Sequence, residues 1–405
     1  MQEKPATTEA TWHRKLTVLS YLYNPDLGSE DGLGPSAVNM VQALKLRIIV
    51  ECSQLSNIDG RQRVFHGFPL VVKKKSGRSE IFLGVGAKTS AKSANGHRAH
   101  YQFWLWRAWL ASRKMKLKGV FWHVCFAQVV GLNPWLVSHR NSLLFGPVGG
   151  RAPVYQYSWM PLAARLRSFI LEKIIYRMMR PLLRGNKVVF AHPRLEQHFR
   201  GDQPTRDQTI MPAIAYYSQT QNAGASSFSD RKQILFVGRR ISTKNPDLTL
   251  RVFKTLAGQH PNYNFLIVGP GWEDARLTGN FSTMSGQAPE RIAALMRMSR
   301  LFIFLSFELA GEVCLQSASA KCPTFCFSGF GADFLLTPSP EFLCKPHFRN
   351  IEAGIDRLVS QLSPLISNDE RLRMEGEQQS IAASRWSLSN KARVVSARLN
   401  ELEPK

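Results

Sequence analysis

The chain is short of acid, short of cysteine and without a long apolar run, and each shortage removes a class of protein. No apolar stretch approaches the roughly 18 residues that a bilayer-crossing helix needs, so no transmembrane helix is expected. The six cysteines (Cys52, Cys125, Cys314, Cys322, Cys326, Cys344) form no CxxC pair and sit mostly in apolar contexts, which suits reduced core residues in a cytoplasmic protein. Cys322 and Cys326 lack a second pair at zinc spacing, so no metal is expected there. Acidic residues number 29 against 53 lysines and arginines, leaving +24. That surplus calls for an anionic partner: nucleic acid, a phospholipid surface or a phosphorylated small molecule. Zinc-finger spacing, an RNP aromatic pattern and a basic low-complexity tail are all missing, which argues against nucleic acid and leaves a basic nucleic-acid-binding protein as an alternative on charge alone.

What is present is 405 residues, 44% of them hydrophobic, enough for two domains with a core each. The first residues read as a polar tail leading into a strand, with no small-residue cleavage site. In the second half, short apolar runs alternate with segments of helical spacing. "ILFVG" (234–238), "YNFLIVG", "RLFIFLS" and "CPTFCFSG" read as strands, and "PDLTLRVFKTLAGQHP", "PERIAALMRMS" and "EVCLQSASAK" as helices. The first half begins the same way, with "KLTVLSYLY", "RIIVECS", "VFWHVCFA" and "SLLFGPVGG" as strands and "PSAVNMVQALKL" as a helix. Alternation of this kind predicts an α/β fold of two doubly wound, Rossmann-like domains. The expected division is residues 1–215, a polar linker at 216–233, a second domain at 234–385 and a closing helix at 386–405 that packs across the boundary.

In doubly wound domains ligands sit at the carboxyl ends of the strands. Arg239 and Lys244 follow "ILFVG" directly, and a planar donor fork beside a point charge suits a phosphate or diphosphate. In "SFELAGEVCLQ" (306–316) a strand ends, Glu308 follows, Gly311 allows close backbone approach and a helix starts, where free N–H groups favour an anion. Either basic residue could instead solvate its loop, and Glu308 could be a helix-entry charge. A "GLGPSA" at 32–37 loosely matches a nicotinamide fingerprint, but its first glycine falls too far behind the strand.

Taken together these stretches resemble the retaining glycosyltransferases of family 4, whose GT-B fold sets two Rossmann-like domains face to face. "GRRISTKN", "IVGPGW" and the span from Glu308 to Gln316 match that family's turn, strand and Glu-x7-Glu motif. In the first half "NPDLGSEDGLG" and "WHVCFAQVVGLNPWLVSHRNSLLFGPVGG" match the motifs of one of its branches. The resemblance implies a transferase that moves a sugar, a hexose being the usual cargo, from a nucleotide-diphosphate donor to a glycan or lipid-linked acceptor in cell-surface polysaccharide synthesis. It implies that Arg239 and Lys244 hold the diphosphate, that Glu308 contacts donor sugar hydroxyls, and that the amides of Gly311, Glu312 and Val313 hold phosphate. Gln316 then stands at the ribose, His123 near the donor sugar, and Gly28, Ser29 and Glu30 beside the donor phosphate and acceptor. No metal or other cofactor is implied, and the chain has no Asp-x-Asp motif of the kind metal-dependent glycosyltransferases use.

The departures are chemical. Gln316 replaces the second glutamate of the motif and lacks the charge that strengthens a diol's hydrogen bonds. Lys321 stands where a glycine would suit a left-handed cap. Arg151, Trp122 and Pro35 replace a glycine, a histidine and a tryptophan. These leave a catalytically impaired relative, acting as a binding or partner subunit, as an alternative. Separately, residues 161–185 place Leu166, Phe169, Ile170, Ile174, Met178 and Leu182 at helical spacing, with Arg165, Lys173, Arg177, Arg180 and Arg184 elsewhere. That pattern fits attachment to an anionic membrane surface at its cytoplasmic face, and it equally fits a helix packed on its own domain.

Overall fold

A computed structural model describes residues 15–20, 37, 45–51, 70–76, 79–84, 94–114, 116–124, 133–139, 141–150, 153–200, 210–212, 228–272, 279–311 and 313–402. The N-terminal part supplies β1 (Lys15–Ser20), β2 (Lys45–Glu51), β3 (Leu70–Ser76), β4 (Ser79–Gly84), α1 (Ala94–Lys114), β5 (Val120–His123), α2 (Pro134–Ser138) and β6 (Leu143–Val148). It continues with α3 (Leu162–Ile170), a wider π turn (Leu171–Ile175), α4 (Tyr176–Arg184), β7 (Lys187–Phe190) and α5 (Pro193–Arg200). The C-terminal part supplies β8 (Gln233–Val237), α6 (Pro246–Gln259), β9 (Asn264–Val268), β10 (Phe281–Met284), α7 (Pro289–Met298), β11 (Ser299–Phe304), α8 (Val313–Ser319) and β12 (Thr324–Phe327). After these come α9 (Gly331–Leu336), β13 (Leu343–Cys344), α10 (Ile351–Ile366), α11 (Asp369–Ser384) and α12 (Leu388–Asn400).

Two sheets result. The first runs β3-β4-β2-β1-β5-β6-β7 and is parallel apart from the β3–β4 pair; the second runs β10-β9-β8-β11-β12-β13 and is parallel throughout. Every residue of β5, β6, β11 and β12 is buried, because helices on both faces leave no solvent side on which polar residues could alternate. The covering helices turn an apolar face inward, as where α6 buries Leu248, Val252, Phe253, Leu256 and Ala257. It starts at Pro246, whose fixed φ and missing donor suit a first turn.

The architecture is the α/β pair of doubly wound domains that the alternation predicts. Five strands escaped it: β3, β4, β7, β10 and the two-residue β13. β3 and β4 form an antiparallel pair around the basic run "KKKSGR", where charge masks the period, and β10 is a short edge strand with polar residues. Of the expected helix "PSAVNMVQALKL" Ala37 is helical, while Lys45 and Leu46 instead open β2, the parallel neighbour of β1; the rest of it, and residues 216–227 of the expected linker, lie outside the described residues.

Chain order reverses between β1 and β5 in the first sheet and between β8 and β11 in the second. Strands diverging from such a point leave a crevice at their carboxyl ends. In the second domain that crevice receives the loops after β8 and β11.

The two domains are joined by aromatic contacts behind these loops. Tyr157 stacks on Phe307 with ring centroids 5.1 Å apart, and the indole N–H of Trp159 donates to the Pro346 carbonyl at 2.9 Å. His192 lies edge-on to Phe334, and the Arg194 guanidinium covers the Phe330 ring. At the chain's end, just after α12, Glu401 pairs with Lys187 of β7 at 2.8 Å.

Candidate functional site

The site is built where "GRRISTKN" meets "SFELAGEV". β8 ends at Val237, and the chain turns through Gly238 beneath the loop after β9. There Gly269 has φ +148°, and a Cβ on it would lie 2.2 Å from the Gly238 carbonyl oxygen, so only glycine lets the two backbones meet. Trp272, fully buried, donates its indole N–H to that same carbonyl at 2.8 Å. Arg240 is held over the Trp272 ring, and its N–H donates to the Pro270 carbonyl. Arg239 is exposed, and its guanidinium has no hydrogen bond or ion pair among the described residues. Both arginines are exposed, and Arg239 is the one whose guanidinium is held by neither a ring nor a hydrogen bond among the described residues.

A short turn, Ser242–Lys244, then brings Thr243 and Lys244 inward. Asn245 adopts the left-handed conformation (φ +46°) and donates its side-chain amide to the Leu305 carbonyl at 2.7 Å, tying the turn to the end of β11. The Thr243 carbonyl accepts from the Phe307 N–H (2.9 Å) and the Ser306 hydroxyl (3.1 Å). These backbone ties fix the two loops to each other before any ligand arrives.

Their side chains then converge. The Lys244 ammonium lies 2.5 Å from Glu308 Oε2 and 4.2 Å from the centre of the Phe304 ring, and the Thr243 hydroxyl reaches Glu308 Oε1 at 3.5 Å. Lys244 is buried and the Glu308 side chain is a quarter exposed. Past Glu308, Gly311 takes φ +56°; a Cβ there would press on Ala332 N at 3.0 Å and Gly331 C at 3.1 Å. That turn delivers the chain into α8, with Val313 at its first position and Gln316 half-buried one turn on. The Gln316 side chain has no hydrogen-bond partner among the described residues. The result is an ammonium, a carboxylate, an open guanidinium and an open amide grouped at the carboxyl ends of β8 and β11, a set able to hold an anion beside a polyhydroxyl group.

The first domain meets this site through "GPVGG": the Leu309 N–H donates to the Gly150 carbonyl at 3.3 Å. His123 ends β5, fully buried, with Nε2 3.1 Å from the Tyr101 hydroxyl and Nδ1 3.4 Å from the Asn133 side-chain amide. Both ring nitrogens are thus engaged inside the domain. Trp122, which replaces a histidine of the motif, donates to the Gly146 carbonyl at 2.9 Å. Gly28, Ser29, Glu30, Glu312, Arg151 and Pro35 lie outside the described residues. Lys321 adopts φ +49°, the conformation a glycine would have supplied.

Thr243, Ser306 and Asn245 organise the site without having been singled out in the sequence. Their short polar side chains read as ordinary turn residues, and only the fold shows what they bond. Arg194 and Tyr157 at the domain junction carried no local signal. Among the described residues no group of three or more His, Cys, Asp or Glu could hold a metal ion, and no helix is long and apolar enough to cross a membrane.

Comparison with known proteins bears on the fold. Residues 218–377 match the family model described as glycosyl transferases group 1. No curated protein sequence matches the chain. Among solved structures, one described as "trehalose-6-phosphate from E. coli bound with UDP-2-fluoro glucose" is similar with a TM-score of 0.62 at 12% identity, over 97% of this chain and 100% of that one. The alpha,alpha-trehalose 6-phosphate synthase from Burkholderia multivorans gives 0.64 at 12%, over 96% and 98%. WaaG, a glycosyltransferase involved in lipopolysaccharide biosynthesis, gives 0.60 at 13%, over 95% and 98%. At such identity the likeness is one of fold. The chain therefore has the GT-B fold of two parallel-sheet α/β domains, and its second domain carries the match to glycosyl transferases group 1.

Proposed function

We propose that the chain is a retaining glycosyltransferase of the family 4 type, moving a hexose from a nucleotide-diphosphate sugar to a glycan or lipid-linked acceptor in cell-surface polysaccharide assembly. The observation that carries this reading is the meeting of Lys244 and Glu308 at the switch point of the second domain, with Arg239 open beside them. The matched family model and the GT-B fold support it.

In this reading Arg239 and Lys244 take the diphosphate. Negative charge grows on the leaving phosphate oxygen as the glycosidic bond breaks, so fixed cations there stabilise the transition state more than the bound donor. Lys244 is already buried and oriented, and its ammonium needs no large rearrangement when that charge develops. Glu308 accepts from sugar hydroxyls beside the reacting carbon, while the backbone from Gly311 to Val313 lies against phosphate. Gln316 meets the ribose with one acceptor and one donor where a carboxylate would offer two acceptors. The chemistry needs no metal when side chains and backbone amides carry the charge.

The test is calorimetric titration of the purified protein with UDP and with GDP, beside an Arg239→Ala, Lys244→Ala double variant. Tight binding of one nucleotide that the variant loses supports the donor site and identifies the base. Absence of binding for both overturns it and favours the second reading, an impaired relative acting as a binding subunit. Two observations motivate that second reading: the neutral Gln316, and a His123 whose ring nitrogens are both occupied inside the domain.

A further inference from the structure

The segment running from α3 through the π turn to α4 is apolar on two opposite sides. Its inner side is the expected one: Tyr176, Met179 and Leu183 are buried, and Leu171, Ile175 and Leu182 pack against the core. Its outer side carries Leu162, Leu166, Phe169, Ile170, Ile174 and Met178, all exposed, with Leu162 at 75% and Met178 at 72%. A helix that merely packs on its domain would place polar residues there. Leu182, which the spacing grouped with this set, belongs to the inner side.

The π turn keeps the outer set in line. A regular α-helix advances about 100° per residue, so Met178 would fall about 160° around the axis from Leu162. The wide turn, in which the Tyr176 N–H bonds back to the Leu171 carbonyl, absorbs one residue and takes back about 100°. The six side chains therefore share a stripe about 100° wide over the whole segment. Exposed Lys173, Arg177 and Arg184 run along one edge of it, and exposed Arg167 lies on the other side.

Neighbouring elements extend the same surface. α2 lies beside α4, with the Asn186 amide just past α4 donating to the Leu136 carbonyl, and its Val137 is exposed. α1 lies beside α2, with the Trp109 indole donating to the Ser138 hydroxyl, and it exposes Phe103, Trp106 and Leu110. One layer of the first domain thus presents apolar side chains from three successive elements, bordered by cations.

We infer that this layer is a docking surface for an anionic phospholipid bilayer, with the outer stripe of α3 and α4 entering the acyl boundary and the flanking lysine and arginines meeting lipid phosphate. Charge complementarity selects this occupant. The stripe is edged by cations on a chain of net charge +24, which repels a second copy of itself and is drawn to an anionic surface. Large apolar side chains supply the attachment that charge alone would not hold at physiological salt. The inference goes beyond the donor chemistry and does not depend on it.

The experiment uses the full chain and vesicles of phosphatidylglycerol with phosphatidylcholine, compared with phosphatidylcholine alone, in cosedimentation at low and at physiological salt. The reference variant is Leu166→Glu, Ile174→Glu, Met178→Glu, three changes on exposed positions; its thermal transition and its UDP and GDP titrations are recorded without vesicles. The expected result is binding to anionic vesicles that falls at least about tenfold in the variant, with unchanged melting and unchanged nucleotide titrations. Three results overturn the inference: no binding of the wild type to anionic vesicles at low salt, equal binding by the variant, or a wild-type dimer in vesicle-free solution that the variant dissolves. A failed nucleotide titration with vesicle binding intact counts against the donor site alone.

Discussion

Replacing Glu308 by glutamine separates two jobs that the carboxylate can have. In the structure it holds the Lys244 ammonium at 2.5 Å and the Thr243 hydroxyl at 3.5 Å, with the two ion-paired side chains 10% and 25% exposed. A hydrogen bond to a charged group contributes about 1.5–3 kcal/mol, and a neutral one about half as much. The amide keeps the shape and one acceptor, so Lys244 is held about 1 kcal/mol less tightly. An incoming diphosphate must draw on that same ammonium, and a nucleoside diphosphate without sugar should then bind about fivefold more tightly to Glu308→Gln. Turnover should move the opposite way. Loss of the charged acceptor beside the reacting sugar should lower kcat/KM for hydrolysis of the matching sugar nucleotide about 100-fold or more, with melting close to wild type. Calorimetry and a nucleotide-release assay read the two effects independently. If nucleotide affinity falls as far as in Lys244→Ala while turnover is unchanged, Glu308 only positions Lys244 and the reasoning fails.

Three further outcomes follow from named contacts. Gly269→Ala puts a Cβ within 2.2 Å of the Gly238 carbonyl oxygen at φ +148°, so it should cost about 3 kcal/mol or more in denaturant unfolding; a loss under about 1 kcal/mol would contradict the packing described. Lys321→Gly should stabilise by up to about 1 kcal/mol, because it removes the left-handed penalty at φ +49° and adds back only the glycine's chain entropy; a destabilised variant would show that the exposed lysine contributes something else. Burial, with the Arg194 charge as a lesser cause, pushes His192 down to about 4, so the folded state keeps the ring neutral while the unfolded chain takes up a proton below about 6.5. The stability that His192 gives is therefore full above about pH 6.5 and falls by up to about 3 kcal/mol toward pH 4. Unfolding of wild type and His192→Gln across that range should show the gap between them closing as pH falls, and a constant gap would refute it.

Much of this molecule is written locally. Short apolar runs ended by glycine, alternating with helical spacing, are enough for two parallel sheets, because strands buried on both faces need continuous apolar residues and their crossovers need amphipathic helices. The rule that ligands gather where strands diverge was enough to pick out Arg239, Lys244, Glu308 and Gly311 from chain position alone. The π turn left no such mark. Its effect is a rotation of side chains about a helix axis, and the sequence spacing of residues 162–178 allowed a core-packed helix as readily as an exposed stripe. The tertiary structure alone decided that matter, as it decided that Arg240 and not Arg239 is held over a ring, through Trp272 and the backbone contact at Gly269. It also decided that Thr243 and Asn245 brace a loop some 60 residues further along the chain, and that Gly150 of one domain touches Leu309 of the other. Local chemistry fixes what each segment can form and which groups it offers. Which of those groups meet depends on contacts between residues far apart in sequence, and these exist only once the chain has closed on itself.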